Sequence, residues 1–360
     1  MAYAGREPWH GLGQKLPVGA DLDTWTKAAG FDWRILRSKV RFAPRRDTAP
    51  ANYEVIDNQH VLFRSDTLAP LSVVTAAYKI VHPEQVLKYF DQLATDGGFQ
   101  LETAGTLFGG KQMWALATIG AEARVLDPKD KMLGRLLLAT SADGSIATTA
   151  KFVIESVVCH NTLTRGLAET GKQVKVRHRI NFSADRMNEK LGIALREQFH
   201  ATMQQLRVLA MAEMPQEDMV RATVELQSNG AAGELKEQEL ARLARTRAVR
   251  RIAHLSTGET SIGADLDGRN STAWGWLNSV TQFVDHEAES RSDEGRLWRA
   301  WWGNGEAMKN RAFGIASRYA GGALEFPKLA LSFDGLIEAM NTIPGDAAAM
   351  ADCGDGEVVT

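Results

Sequence analysis

Short apolar runs alternate with charges from Trp33 to Phe63, as in Trp33-Arg34-Ile35-Leu36-Arg37 and Val61-Leu62-Phe63-Arg64, and Pro44, Pro50 and Asn58 break them. Alternation with that punctuation predicts strands joined by turns. Ser72-Val73-Val74 leads to Tyr78-Lys79-Ile80-Val81, after which His82-Pro83-Glu84 opens a helix expected to run to about Asp96, before Gly97-Gly98. Three strands are then predicted, Phe99 to Thr106, Gln112 to Ile119 and Leu133 to Thr140, the first two joined by the turn Phe108-Gly109-Gly110-Lys111. Asp143-Gly144 supplies the positive backbone angles of a tight hairpin, and Ile146 to Val158 returns as the next strand.

From Cys159 the spacing turns helical, with Asn161 or Thr162 as the cap of a helix carrying Leu163 and Leu167 and Gly171 just past its end. Ser183 opens a long amphipathic helix with Leu191, Leu195, Phe199, Met203 and Leu206 on one stripe. Gly230 and Gly233 precede a helix that starts at Glu234, and glycines at 258, 263 and 268 mark a loop before the helix around Trp274. Strands first and helices second predict an α+β protein, an N-terminal antiparallel strand-rich meander with a largely helical C-terminal half. The expected division is a strand-rich domain over 1–171, a mainly helical region over 172–344 and an acidic flexible tail over 345–360.

Composition narrows the class. At 360 residues, 44% hydrophobic and 24% charged, the chain has globular proportions and no apolar run near the roughly 20 residues of a membrane span. Its start, MAYAGREPWHGLG, lacks the apolar segment of a signal peptide, so a cytoplasmic setting in a host cell is expected. Cys159 and Cys353 lie too far apart in kind and place for a disulfide framework or a zinc spacing. Net charge is −2, yet Lys151 to Arg207 holds ten Lys/Arg against five acids. The terminal Asp346, Asp352, Asp355 and Glu357 are a solubilising end or a lure for a host partner.

Candidate chemistry is sparse. Cys159 stands beside His160, but strand neighbours face opposite ways and no orienting acid is identifiable, so a buried thiol is expected rather than a Cys-His hydrolase. The eight histidines are scattered, no metal-ligand spacing occurs, and neither a P-loop nor a complete dinucleotide fingerprint is present. No cofactor is therefore expected, and any annealing activity would proceed without ATP. Trp9-His10-Gly11 reads as a plug, with Trp9 in the core and glycines turning the chain.

Three patches carry a nucleic-acid reading. Lys172, Lys175, Arg177, His178 and Arg179 cluster, and in an alternating run Lys175, Arg177 and Arg179 share one face, a stripe able to track phosphates or a charged, solvated strand edge, with Lys151 and Arg165 in the same basic segment. Arg247, Arg250 and Arg251 follow Arg242 and Arg245 on the helix begun at Glu234, where helix-dipole matching is the competing account. Trp298 and Arg299, within Arg296-Leu297-Trp298-Arg299-Ala300-Trp301-Trp302, suit base stacking with phosphate neutralisation or one apolar core stripe. A fourth feature, Asn278, Gln282, Asp285 and His286 on one face of the helix with Trp274 and Trp276, is expected to be a surface for a partner.

Several words in the chain resemble those of a phage and plasmid family catalogued as domain of unknown function 932: Pro8-Trp9-His10-Gly11-Leu12-Gly13, Tyr78-Lys79-Ile80-Val81, Glu102-Thr103-Ala104-Gly105, Trp114-Ala115, Cys159-His160-Asn161-Thr162-Leu163 and the block from Trp274 to His286. The resemblance runs from Trp9 to about Lys309. It implies a mobile-element role in DNA metabolism, host takeover or plasmid upkeep. A meander followed by a helix is also loosely similar in topology to single-strand annealing recombinases. The resulting expectation is a non-enzymatic, self-assembling protein that binds or anneals single-stranded DNA. The alternatives are a host-protein interaction factor using its tryptophan-rich helices, and the Cys-His hydrolase.

Overall fold

The computed structural model describes residues 1–43, 53–97, 99–165, 174–176, 194–258 and 260–342. The protein is α+β, with antiparallel-rich sheets in its N-terminal half and helices in its C-terminal half. The chain divides into two compact units. One comprises Met1–Arg124, Asp130–Gln204 and Glu289–Glu306; the other comprises Val125–Lys129, Gln205–Ala288 and Ala307–Thr360. Residues 289–306, which follow the helical stretch in sequence, thus belong with the strands.

The strand-rich unit is built on an eight-stranded sheet. Its strands are β1 (Ala2–Ala4), β2 (Gln14–Leu16), β6 (Gln100–Leu107), β7 (Gln112–Arg124), β8 (Lys131–Ser141), β9 (Thr148–Ser156), β10 (Thr162–Arg165) and β11 (Val174–Val176). The order is β10-β9-β8-β7-β6-β1-β2, with β11 also on β9. All pairs are antiparallel except β1 with β2. The turn before β9 has Gly144 at φ 76°, as an Asp-Gly hairpin requires.

Every residue of β9 is buried, the polar Thr148, Thr149, Lys151, Glu155 and Ser156 included, so both faces of the sheet are covered there. On one face the ring of Phe199, from the helix Ala194–Met211, meets Phe152 edge-on, and Gly134 leaves room for it, because a Cβ there would stand 2.9 Å from Phe199. On the other face Trp114, Leu116, Leu137, Ala139 and Val153 pack against Leu297, Ala300 and Trp301 of the helix Asp293–Trp301. Trp9 joins that cluster from the Pro8–Gly11 turn, as its plug reading expects, with Gly11 at φ 65°.

A second, three-stranded sheet is formed by β3 (Ile35–Phe42), β4 (Glu54–Arg64) and β5 (Pro70–Thr75) in the order β3-β4-β5. Ser72 donates to the Ala142 carbonyl at 2.6 Å and Tyr78 to the Ser141 carbonyl at 2.7 Å, which fixes the root of this sheet to the larger one.

The helical unit buries Val220, Val224, Leu240, Val249 and Leu336. They come from Gln216–Gln227, Glu237–Ala244, Arg247–Ser256 and Phe333–Asn341. Among the described residues no helix is long and apolar enough to cross a membrane.

Two sequence expectations are corrected. Thr162–Arg165 is a strand, not the start of a helix: it pairs antiparallel with β9 from Thr162↔Glu155 to Arg165↔Phe152, and its β-branched threonines are buried in that ladder. The helix expected from Glu234 through the arginines is two helices, because Thr246 takes up an extended conformation and accepts from the Val249 amide. Leu167, Gly171, the helix start at Ser183 and the acidic tail lie outside the described residues.

Candidate functional site

The sequence-predicted cations separate according to what surrounds them. Lys151 is not a phosphate ligand at a surface: it is buried, its Nζ 2.7 Å from both carboxylate oxygens of Glu306 and 2.9 Å from the Trp301 carbonyl. Thr164 donates to the same carboxylate at 3.0 Å. A charge so enclosed is neutralised where it stands and fastens the helix Asp293–Trp301 to the sheet. Arg165 lies on β10 and Lys175 on β11, while Lys172, Arg177 and Arg179 fall outside the described residues.

Arg251 is held by Glu287, which lowers the carboxyl pKa of Glu287 against its partial burial. Arg247 donates to the Glu287 carbonyl at 3.0 Å, and Arg250 is half-buried. With the helix broken at Thr246, Arg247 opens a helix, so matching to a helix C-terminus no longer accounts for it. These three belong to the helical unit, whereas Lys151, Trp298 and Arg299 belong to the strand-rich one. Trp298 stacks on Trp302 at 5.0 Å between ring centres and is half-buried, and Arg299 donates to the Glu289 carbonyl.

The expected partner surface on Ala273–Gln282 is interior. Every residue of that helix is buried, and its polar groups are satisfied within the unit. Asn278 donates to the Trp274 carbonyl, Ser279 to that of Gly275, Trp276 Nε1 to Thr223, and Gln282 accepts from the Ile262 amide. Asp285 meets Lys309 at 2.7 Å with both side chains at 0% exposure. Polar residues on one helical face signalled a surface only if their partners were water; here the partners are protein.

What the structure does expose is the β3–β4 hairpin. Arg37, Lys39 and Arg41 alternate onto one face of β3, all exposed, and none has an ion-pair partner among the described residues. Lys39 lies opposite His60, and Arg41 opposite Val55, beyond a register shift between Lys39 and Val40. Tyr53, two residues before Val55, is 62% exposed, while Phe42, 47% exposed, belongs to the opposite face of β3. At the root, by contrast, Arg64 pairs with Asp66 at 2.7 Å and lies over Trp33. The sequence signal was present in the every-second-residue cations of β3, the same pattern as at Lys175, Arg177 and Arg179, but it served only to recognise a strand.

A charge cluster lies on the sheet face that carries Trp114. A register shift between Leu101 and Thr103 makes Glu102 the extra residue of a bulge in β6, and the side chain meets Arg135 of β8. Arg135 also lies 2.9 Å from Glu155 of β9. Burial raises the Glu102 carboxyl above its usual pKa, with Arg135 opposing. Glu155 is 3.0 Å from His160 Nδ1, and Arg6 donates to His160 Nε2 and, at 2.7 Å, to the Val157 carbonyl. His160 sits at φ 55° in the turn between β9 and β10. Sequence reasoning missed Glu155 as its acid because the two come together only when that turn closes. Both imidazole nitrogens are engaged and Cys159 is buried, so the pair is arranged as a structural clasp and not as a base facing a nucleophile.

A family model described as Domain of unknown function (DUF932) matches residues 70–302, more than half of the chain. No curated protein and no solved structure matches.

Proposed function

Since the chain belongs to the domain of unknown function 932 family, whose description carries no activity, its function has to be read from its surfaces, and we propose that it binds single-stranded nucleic acid through the β3–β4 hairpin. The observation that carries this reading is the row of Arg37, Lys39 and Arg41, exposed and without carboxylate partners among the described residues, with exposed Tyr53 two residues before Val55, the partner of Arg41. Alternate strand residues are about 6.7 Å apart, so the row follows a backbone whose phosphates advance about 3.4 Å each in stacked form. An aromatic side chain beside such a row offers a stacking surface to any base, which favours unpaired strands without sequence preference. Three cations cover only a short stretch of backbone. Binding a long strand, or annealing two, therefore rests on several copies acting together, without ATP, in the setting of a phage or plasmid in its host's cytoplasm.

The test is fluorescence anisotropy of a labelled single-stranded DNA across a salt series, with duplex and RNA competitors, for the wild-type chain and the triple variant Arg37→Ala/Lys39→Ala/Arg41→Ala. Each phosphate that a cation neutralises adds about 0.7 to the steepness of log affinity against log salt, so removing three cations is expected to flatten the slope by about 2. Wild-type binding with no salt dependence, or an unchanged slope in the variant, would remove the hairpin from consideration.

A further inference from the structure

Two hollows in the strand-rich unit share a wall. The larger is a cleft of about 410 Å3 whose lining is mostly apolar, with Val18, Leu22, Trp25, Leu87 and Leu101. The smaller, about 40 Å3, is lined by His10, Trp301, Arg135 and Glu155 among others. Ala4, Arg6 and Glu102 line both. By volume the small hollow holds about three water-sized groups and the large one the body of a small organic molecule.

The small hollow is short of acceptors where it has donors. His10 Nδ1 accepts from the Leu12 amide at 3.1 Å, which leaves the ring proton on Nε2, and that buried nitrogen has no partner. Burial, and secondarily the amino terminus, depresses this imidazole to about 3, so it is a neutral N–H donor across the ordinary pH range. Trp301 is wholly buried and its Nε1–H is likewise unpartnered. The two rings stand edge to face, 6.2 Å between centres. Buried donors without acceptors are rare in folded proteins, because each forfeits its bonds to water. Two of them lining one hollow call for an acceptor supplied from outside. Among the residues lining the small hollow, Glu7, Glu102 and Glu155 outnumber Arg6 and Arg135, which disfavours an anionic head, whereas a neutral carbonyl oxygen takes the N–H groups without that repulsion.

We infer that the two hollows form one binding site for a small, apolar-bodied carbonyl compound, an amide or ester, whose carbonyl oxygen accepts from His10 Nε2 and Trp301 Nε1 while its body fills the larger cleft. The site is separate from the hairpin and does not depend on nucleic-acid binding.

Isothermal titration of the full chain with octanamide and with octanoate tests it. Saturable binding of one octanamide per chain is expected, at least tenfold tighter than octanoate. His10→Phe keeps a ring but removes the donor, and should weaken octanamide by about fivefold to tenfold, the worth of one hydrogen bond. Ala20→Phe, on the wall of the larger cleft, should abolish binding with the circular dichroism spectrum unchanged. If His10→Phe fails to fold, Ala20→Phe decides by itself. No saturable binding of octanamide, a preference for octanoate, or full binding by Ala20→Phe would each overturn the site.

Discussion

The strand-rich unit uses basic residues in two opposite ways. On β9, Lys151 is 3% exposed and enclosed by Glu306, Thr164 and a backbone carbonyl, with the indole of Trp302 5.9 Å away. On β3, Arg37, Lys39 and Arg41 stand in solvent and meet no acid among the described residues. Both sets sit on strands with the same local look in sequence, a cation set among β-forming residues. The difference lies in the neighbours: β9 has a strand on either side and is covered on both faces, β3 is the edge of the three-stranded sheet. A cation in the first position must bring its counter-ion and can only hold the fold together; in the second it remains free for a ligand.

Breaking the enclosed pair should have the largest effect. Removing one partner leaves a buried charge uncompensated, so Glu306→Gln or Lys151→Met is expected to cost about 3–5 kcal/mol in urea unfolding. The double variant Lys151→Met/Glu306→Leu, which takes both charges away, should recover most of that loss. A double variant as unstable as the singles would mean that Lys151 contributes through something other than its pairing.

His10 sharpens the same contrast through pH. Its folded pKa of about 3 lies below the ordinary 6.5, so between these values the unfolded chain holds the extra proton and stability falls as pH falls. The slope is up to about 1.4 kcal/mol per pH unit. The stability difference between the wild-type chain and His10→Phe, followed from pH 7 downward, should therefore shift steadily in favour of the variant as the solution becomes more acid. A difference that stays constant with pH would show that the folded imidazole titrates normally.

These residues also mark how far the sequence could be read. The meander from β6 to β9 was legible because periodicity and turn residues are local: Asp143-Gly144 specifies its hairpin wherever the strands go. β10 was not, since Asn161-Thr162 is as good a helix cap as a strand start until β9 offers a ladder to pair with. The helix carrying Trp274 was placed correctly and its surroundings were not. Asn278, Ser279 and Gln282 are polar because they bond to carbonyls and an amide in the interior, and polarity alone does not say which solvent a face meets. The same limit hid both charge clusters. Lys151 finds its acid 155 residues away and Arg135 finds one 33 away, separations over which composition and spacing carry no information. The hairpin cations were overlooked for the reverse reason: their importance lies in partners they lack, and only burial and neighbours reveal that.

The smallest expected effect completes the comparison. Replacing Arg37, Lys39 and Arg41 by alanine one at a time disturbs no buried packing and leaves no polar group unsatisfied, so each should change unfolding free energy by no more than about 0.5 kcal/mol. For a protein of this size that corresponds to a Tm shift of less than about 2 °C. Beyond Ile35, β3 is largely exposed, with Leu36 at 41% and Phe42 at 47%, so the stems of these side chains cover little apolar surface that would otherwise meet water. A loss of several kcal/mol at any of the three would place that side chain in the same structural role as Lys151, and the hairpin would then be a packed element rather than a presented one. Small stability changes accompanied by a flattened salt slope separate the two uses of a cation as cleanly as one chain allows, because the same substitution chemistry, charge to methyl, is silent in one readout and large in the other.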